Sequence, residues 1–528
     1  MIEYQKRAVF IWGLLIVITI IIIVNFFYIQ VIKSKEFKKT ASKIHKGIKV
    51  YIEPRGTIFD RNGEILVISN SVASLYKIQN KRFVWVKRRI PIEEAEASGI
   101  DWVVEHKRYY PKKKLCGSLL GFVRLEDDPG KIEGLSGIEG SFDSYLTSKP
   151  YILKVDKDGR GRILYSKRDK KKACDIFLSI DSKIQFIAED ELKKTCEEFD
   201  AEGGVVLIGY PKTGEILACA SYPEFNPEIF SSYNPHLWRS LKKENIRNKG
   251  ISWVIEPGSI FKPIIAGILL QEGAVKPEDR FFCEGNMKIK NKTIICVCKH
   301  GAQSFKEVIA NSCNVGMSQA IERLDNKRLL RYLSHFGFSE KTKTGLREEE
   351  KGILPKKDLS GIRKANISFG YGISATPIQI LMAVSSFCNN GILFSPIIVR
   401  SISRDGKMIK EWQPTPFKEV LSPSVARIVK ELMLGVVEKG TGKNAKIEGY
   451  EVCGKTGTVE KLKGKRYDPS RVISSFIGFF PKDDPEIVIF VMIDEPKKAH
   501  FAGIVAAPCF RRIAERLIFW ERIKVPEI

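Results

Sequence analysis

The sequence predicts an α+β protein carried on a single membrane helix, and three observations support that fold class. One uncharged run near the N-terminus is long enough to cross a bilayer. A charge-rich, β-branched segment follows it, and from Cys174 onward strand and helix patterns mix without an internal repeat. The 528 residues, 44% of them hydrophobic, suffice for two or three domains with their own cores and exclude disorder as the main state. The 41 Gly and 24 Pro show no G-X-Y period, which excludes a collagen-like chain.

Residues 1–7 form a short tail. Ala8 to Val31 then read AVFIWGLLIVITIIIIVNFFYIQV, 24 residues without a charge. A helix of that length reaches about 36 Å, more than a hydrocarbon core of roughly 30 Å requires. A cleaved signal peptide has an apolar core of roughly 7–15 residues and a small-x-small site, and this run has neither, so an uncleaved anchor is expected. Lys6 and Arg7 precede the run, while Lys33, Lys35, Lys38 and Lys39 follow it. The positive-inside count alone would leave the larger part in the cytoplasm, so orientation has to come from the chemistry downstream. With 87 Lys plus Arg against 62 Asp plus Glu, the net charge of +25 favours anionic surroundings without naming a partner.

Lys33 to Lys49 reads as a connector, and VYIEPRGTIFDRNGEILVISNS as a hairpin turning at Arg61-Asn62-Gly63. Residues 77–115 are dense in charge, including Lys87-Arg88-Arg89 and Lys112-Lys113-Lys114. No helix-turn-helix, finger or aromatic reading motif accompanies them, so a solvated face is expected rather than a nucleic-acid surface. Lys154 to Lys172, with Gly159 and Gly161, reads as a connector between domains. DIFLSIDSKIQFIAEDELKKTCEEF gives a strand and an amphipathic helix with Ile184, Ile187 and Leu192 inward, and GGVVLIGYPKTGEILACAS two strands around a Pro-Lys-Thr-Gly turn. An α+β domain of roughly 350 residues follows from that pattern.

All 11 cysteines, Cys116 to Cys509, lie beyond the apolar run, and their odd number leaves at least one unpaired in a monomer. Cys283, Cys296 and Cys298 could share one disulfide in an oxidising compartment. A zinc site with His300 is the rival, although C-x-C-x-H lacks the paired C-x2-C spacing of common structural sites. Buried free thiols are the third reading, and spacing leaves the three open.

The chemistry concentrates in EPGSIFKPIIAGILLQEG, Glu256 to Gly273. Pro257 and Gly258 stop the preceding segment, Ser259 begins a helix and Gly273 ends it. Ser259 and Lys262, at i and i+3, share one face within hydrogen-bond reach, a nucleophile beside a base. A serine hydroxyl is inert at neutral pH until a neighbour takes its proton, and a buried lysine can do so once its pKa is lowered. Orphan NH groups at the helix start could hold an oxyanion. S-x-x-K alone is weak: Ser240 and Lys243 also match, without an apolar stripe behind them. S-x-N occurs at Ser232–Asn234 and at Ser312–Asn314, and K-T-G begins at Lys212, Lys343 and Lys455. Ser312 and Asn314 lie between helix-like segments and Lys455 follows a strand-like one, so these copies are preferred.

In that order, with Ser312 53 residues beyond Ser259 and Lys455 143 beyond Ser312, the triple resembles the penicillin-recognising serine enzymes. RGTIFDRNGEIL (55–66), RYYPKKKLCGSLLGFV (108–123), GLSGIEGSFDSYL (134–146), ISFGYGISATPIQI (367–380) and FIGFFPKDDPEIVIFVMIDEP (476–496) look like blocks of class B penicillin-binding proteins along nearly the whole chain. The closing IDEP and HFAGIVAAPCFRRIAE are most similar to the septal, cell-division members.

This resemblance implies a transmembrane helix at 8–31, a β-rich pedestal at 32–173 and a penicillin-binding transpeptidase domain, serine β-lactamase-like, at 174–528. Ser259 would be acylated by the penultimate D-Ala of a stem peptide, and Lys262 would accept its proton. Ser312 would relay protons with Lys455, Asn314 would hold the donor amide, and Thr456 and Thr458 would bind the terminal carboxylate. Gly457 would keep the strand edge clear for substrate. The NH groups of Ser259 and Thr458 would form the oxyanion hole.

No cofactor and no metal are implied. Implied partners are stem peptides, β-lactams, a membrane glycosyltransferase and other division proteins, and no nucleic acid. The place is the cell (inner) membrane, with the N-terminus cytoplasmic and the catalytic domain extracytoplasmic. The alternatives are an elongation-type transpeptidase of the same class and a non-catalytic divisome scaffold. Cys313, inside S-x-N, and Cys453, before Gly454-Lys455, read as small buried packing, with redox sensitivity as the alternative.

Overall fold

The uncharged run is helical throughout. A computed structural model describes residues 2–51, 53–79, 82–125, 132–148, 151–158, 163–166, 172–231, 246–355, 359, 361–464 and 466–520. In it an α-helix covers Ile2–Phe27, and a π-helical turn continues it over Tyr28–Ile32. None of these side chains is buried against protein, which fits a helix whose apolar surface is left for lipid.

Residues 1–53 and 148–172 form one compact unit, and 54–147 with 173–528 form another. In the first, Ser34–His45 is a helix and Lys46–Tyr51 a strand. That strand pairs antiparallel with Tyr151–Lys157, Lys46 opposite Asp156, and Tyr151–Lys157 pairs in turn with Ile163–Ser166. The connector expected at 33–49 is therefore largely regular structure, and of the one expected at 154–172 the described residues 154–157 and 163–166 are strand. Interspersed charges hid them, because a short strand is specified by a partner distant in sequence more than by its own composition.

In the second unit the 58–67 hairpin forms as expected. Ile58 lies opposite Val67, and Gly63 takes φ +83 in the turn. These strands belong to a seven-stranded sheet whose order is Lys407–Glu411, Val399–Arg404, Asp175–Leu178, Ile58–Phe59, Ile65–Gln79 and Arg82–Ile90, with Trp102–Tyr109 also paired to Ile65–Gln79. Asp175–Leu178 runs parallel to Ile58–Phe59, so the sheet crosses the boundary that the sequence put at 173.

Three of the sequence blocks meet here in one buried ion network. Arg55 Nε donates to Glu139 at 2.5 Å, Arg108 Nε to the other Glu139 oxygen at 2.7 Å, and Arg55 Nη1 to Asp143 at 2.6 Å. The Arg108 and Glu139 side chains are fully buried. Removing one member of such a cluster leaves charge stranded without solvent, so Glu139→Ala is expected to lower the unfolding free energy by about 3–5 kcal/mol, read by denaturant titration.

The same unit also holds a five-stranded antiparallel sheet, ordered Glu215–Tyr222, Gly203–Tyr210, Ile487–Asp494, Arg466–Phe480 and Cys453–Lys463. Alternate residues face opposite ways. Val206, Ile208, Ile489, Val491 and Ile493 pack with Ile187 and Leu192 of helix Ser182–Glu198 and Phe510 and Ile513 of helix Ala502–Phe519. Val205, Leu207, Phe490 and Met492 pack with helices Lys262–Gln271, Pro377–Cys388 and Pro423–Glu438 on the other side. Cover on both faces explains why Ile487–Asp494 is buried along its whole length and apolar in nearly every residue. Ile184, Ile187 and Leu192 are buried as their spacing implied, and Asp181 caps that helix.

Candidate active site

Ser259 is delivered by a turn that only glycine can enter. Gly258 sits at φ +58, its NH donates to the Gly370 carbonyl at 3.0 Å, and a Cβ there would come within 2.1 Å of Val459 Cγ2. Gly258–Phe261 form a 3-10 turn and Lys262–Gln271 the α-helix after it. Three residues per turn bring i and i+3 into line, so Ser259 and Lys262 leave the turn on the same side. Ser259 is half-buried, whereas Lys262 is fully buried beside Ile264, Ile265 and Ile268.

Ser312 and Asn314 come from the junction of two helices, Phe305–Ala310, capped reciprocally by Ser304 and Glu307, and Asn314–Ile321. Ser312 itself takes φ +57, a left-handed conformation that serine holds only where its surroundings impose it. The strain sets its hydroxyl between two amines. Lys262 Nζ donates to Ser312 Oγ at 3.1 Å, to Asn314 Oδ1 at 2.8 Å and to the Ser312 carbonyl. Lys455 Nζ donates to Ser312 Oγ at 2.9 Å and to the Thr456 carbonyl at 3.0 Å. The sequence puts the Ser259 hydroxyl and the Lys262 amine on one face within hydrogen-bond reach. The Lys262 ammonium is engaged by Ser312 and Asn314, and among the described residues the Ser259 hydroxyl makes no hydrogen bond. Catalytic hydrogen bonds of this kind often tighten only when substrate arrives.

Lys455, Thr456, Gly457 and Thr458 lie on Cys453–Lys463, the edge strand of the five-stranded sheet. The fold itself also requires the glycine. A Cβ on Gly457 would lie 2.8 Å from Ile260 Cγ2 and 3.2 Å from Ile260 N, so it would strike the nucleophile's own turn. Thr456 Oγ1 lies 2.6 Å from Thr441 Oγ1, and Thr458 Oγ1 accepts from the Ala502 NH at 3.1 Å, which leaves its proton to be donated elsewhere.

Burial governs the electrostatics. It pulls the Lys262 amine down to about 7, against a smaller opposite effect from the Cys296 and Cys313 sulfurs. Burial, then the charge of Lys262, holds Lys455 well below the usual lysine range. Two buried ammonium groups around one hydroxyl cannot both persist near neutrality, so this arrangement can take up and pass on a proton.

The rejected K-T-G copies lie elsewhere in the fold. Lys212 is at the Pro-Lys-Thr-Gly hairpin turn, bonded to Asp484, and Lys343 is in the loop that closes on Glu349. The copies at Ser232–Asn234 and Ser240–Lys243 lie outside the described residues. Sequence reasoning missed Thr441, whose only signal is its place between Gly440 and Gly442 after a helix. It also missed Glu256, which accepts from Tyr467 OH at 3.0 Å and from the Gly372 NH at 2.7 Å. Cys453 is a buried thiol that donates to the Lys430 carbonyl, in agreement with the packing role expected for it.

Comparison with known proteins finds similarity over most of the chain. Residues 203–515 match the penicillin-binding protein transpeptidase domain, and residues 86–178 match the penicillin-binding protein dimerisation domain. Stage V sporulation protein D of Bacillus subtilis is 31% identical over 556 aligned positions, covering 96% of this chain and 84% of that protein. Peptidoglycan D,D-transpeptidase FtsI of Escherichia coli is 30% identical, covering 82% of this chain and 71% of that protein. Penicillin-binding protein 3 of Mycobacterium tuberculosis in complex with aztreonam superposes with a TM-score of 0.73 at 25% identity, over 91% of this chain and 98% of that one.

Proposed function

The chain belongs to the class B penicillin-binding proteins and is a serine-type peptidoglycan D,D-transpeptidase, and from that premise we propose that it cross-links stem peptides during septal wall synthesis through an acyl-enzyme on Ser259. One observation carries the mechanism. Two buried lysines converge on Ser312 beside a turn that exposes a single serine hydroxyl.

Ser259 Oγ attacks the carbonyl of the penultimate D-Ala, and its proton passes to the neutral amine of Lys262. The C–N bond then breaks, and the terminal D-Ala leaves with a proton passed through Ser312 and Lys455. The amine of a second stem peptide attacks the ester, forms the cross-link and returns a proton to Ser259. Asn314 uses its Oδ1 on Lys262 and one Nδ2 hydrogen on the Ile295 carbonyl, which leaves the other hydrogen for the donor amide. Thr456 and Thr458 donate to the terminal carboxylate, and the NH groups of Ser259 and Thr458 take the oxyanion. β-Lactams enter as substrate mimics that stop at the ester.

The helix at the N-terminus anchors the chain in the membrane, with the catalytic unit on the outer side where stem peptides are, next to a membrane glycosyltransferase and other division proteins. The test is a fluorescent penicillin on the detergent-solubilised full chain. One adduct per chain, mapped to the peptide containing Ser259, is expected, and folded protein without adduct would refute the acyl-enzyme. For the septal role, a fluorescent fusion is expected at midcell, and a side-wall distribution would favour the elongation-type alternative. The Bacillus subtilis relative is named for sporulation, which favours a second reading. Under it, depleted cells divide normally and fail at spore-wall synthesis.

A further inference from the structure

We propose that Cys283, Cys296, His300 and Cys313 form a tetrahedral zinc site that fixes the Ser312–Asn314 turn. Their ligand atoms all lie within 4.8 Å of one another. Three thiolates and one imidazole around Zn2+, with Zn–S of about 2.3 Å and Zn–N of about 2.0–2.1 Å, stand about 3.5–3.8 Å apart along the edges of the tetrahedron. Two of the edges already have that length. Cys296 Sγ is 3.7 Å from Cys313 Sγ and 3.6 Å from His300 Nδ1. Cys283, Cys296 and Cys313 are buried, and none of them is in a disulfide.

Independent support comes from what surrounds the sulfurs. Each accepts a backbone NH: Cys283 from Gly285 at 3.4 Å, Cys296 from Asn314 at 3.4 Å and Cys313 from Gly316 at 3.2 Å. Donors placed in this way stabilise metal-bound thiolates and orient them, whereas packed thiols have no need of them. The segment is otherwise held by few contacts, chiefly Phe281 against Phe305, Ile294 against Phe369 and the Gln319 side chain on the Phe282 backbone. It consists of two separate two-stranded pairs, Arg280–Cys283 with Gly301–Ser304 and Asn286–Ile289 with Lys292–Ile295. Ile295 and Val297 between the ligands point to solvent. Two-stranded hairpins are marginal in water unless something staples them, and a metal joining both pairs to the start of helix Asn314–Ile321 does that.

The ligand spacing is C-x12-C-x3-H-x12-C. Cys298 is outside the set: it is exposed, and its Sγ faces the opposite ring nitrogen of His300, Nε2, at 3.4 Å. Binding replaces the thiol protons by the metal, so up to three protons pass to solvent for each ion bound. Because Cys313 lies between Ser312 and Asn314, and Cys296 Sγ accepts from the Asn314 NH, the ion would act on the reaction as a positioning element, touching no reacting atom.

Metal content decides the matter separately from activity. The full chain, purified in detergent with a thiol reductant and no chelator, is expected to hold about one zinc per chain by mass spectrometric metal analysis. Cys283→Ala and His300→Ala are expected to lose at least about nine-tenths of it, and Cys298→Ser to keep it. Cobalt added to metal-stripped wild type should give the visible bands of a tetrahedral ion and a thiolate charge-transfer band, a readout that needs no variant to fold. Reduced wild type that holds neither zinc nor cobalt would overturn the proposal. So would equal zinc in wild type and Cys283→Ala, or a metal-free chain lighter by two thiol hydrogens through a Cys296–Cys313 disulfide.

Discussion

Ser259→Ala is expected to form no penicillin adduct while folding as the wild type does. The hydroxyl is half-buried and makes no hydrogen bond among the described residues, so removing it orphans no partner and should change stability by no more than about 0.5 kcal/mol. The chemistry responds very differently, because without the oxygen there is no atom to form the ester. Acylation should fall by at least roughly 10⁴-fold, to the limit of detection. The geometry around Ser259 survives the change: Gly258 still bonds to Gly370, and Lys262 still reaches Ser312 and Asn314. Intact mass after incubation with penicillin, beside a thermal melt, therefore separates a lost nucleophile from a lost fold. An adduct of wild-type stoichiometry in the variant would move the nucleophile to another residue. A variant that fails to melt cooperatively would show that the turn depends on the hydroxyl in a way the hydrogen bonds do not suggest.

What was legible in the sequence was whatever is specified locally. The 24-residue apolar run, the Pro-Lys-Thr-Gly hairpin and the helix bearing Ile184, Ile187 and Leu192 each announce themselves within one window, and each is present. Ser259, Lys262, Ser312 and Lys455 were chosen among repeated motif copies because helix starts and strand entries leave local marks, and the fold brings Lys262 and Lys455 onto the Ser312 hydroxyl, with Ser259 one turn before Lys262. Three kinds of feature were out of reach. The strands at 46–51 and 151–157 mix lysine with apolar residues and are defined by each other. The φ of Ser312, which aims its hydroxyl at both lysines, is imposed by the helices on either side of it. The cysteine and histidine cluster could not be read from Cys283, Cys296, Cys298 and His300, because the ligand completing it is Cys313 in the middle of S-x-N. A motif that already had one meaning hid a second one.

Lys262→Met is expected to slow acylation by about 10²–10⁴-fold, the range that positioned general bases contribute. The wild-type enzyme should show why in its pH dependence. Lys262 accepts the Ser259 proton only as the free amine, and burial holds its pKa at about 7. The acylation rate should therefore rise with pH up to about 7, flatten above it, and fall by about tenfold for each unit below it. Burial sets this value and the Cys296 and Cys313 sulfurs oppose it, while the charge of Lys262 adds to the burial that lowers Lys455. Stability should move the same way. A buried lysine whose pKa lies below its unfolded value of about 10.4 binds fewer protons when folded, so the cost of burying it shrinks as pH rises from about 7 toward that value. Methionine removes this cost but leaves the Ser312 carbonyl and Asn314 Oδ1 without their donor, two opposed effects that should leave the variant folded. Lys262→Arg separates charge from basicity. A guanidinium can still donate to Ser312 and Asn314, yet it gives up no proton at any accessible pH, so it should acylate as slowly as the methionine variant and lose the inflection near 7. Recovery of activity by arginine, or a wild-type profile flat from pH 5 to 9, would assign the proton transfer to Lys455 acting through Ser312 instead.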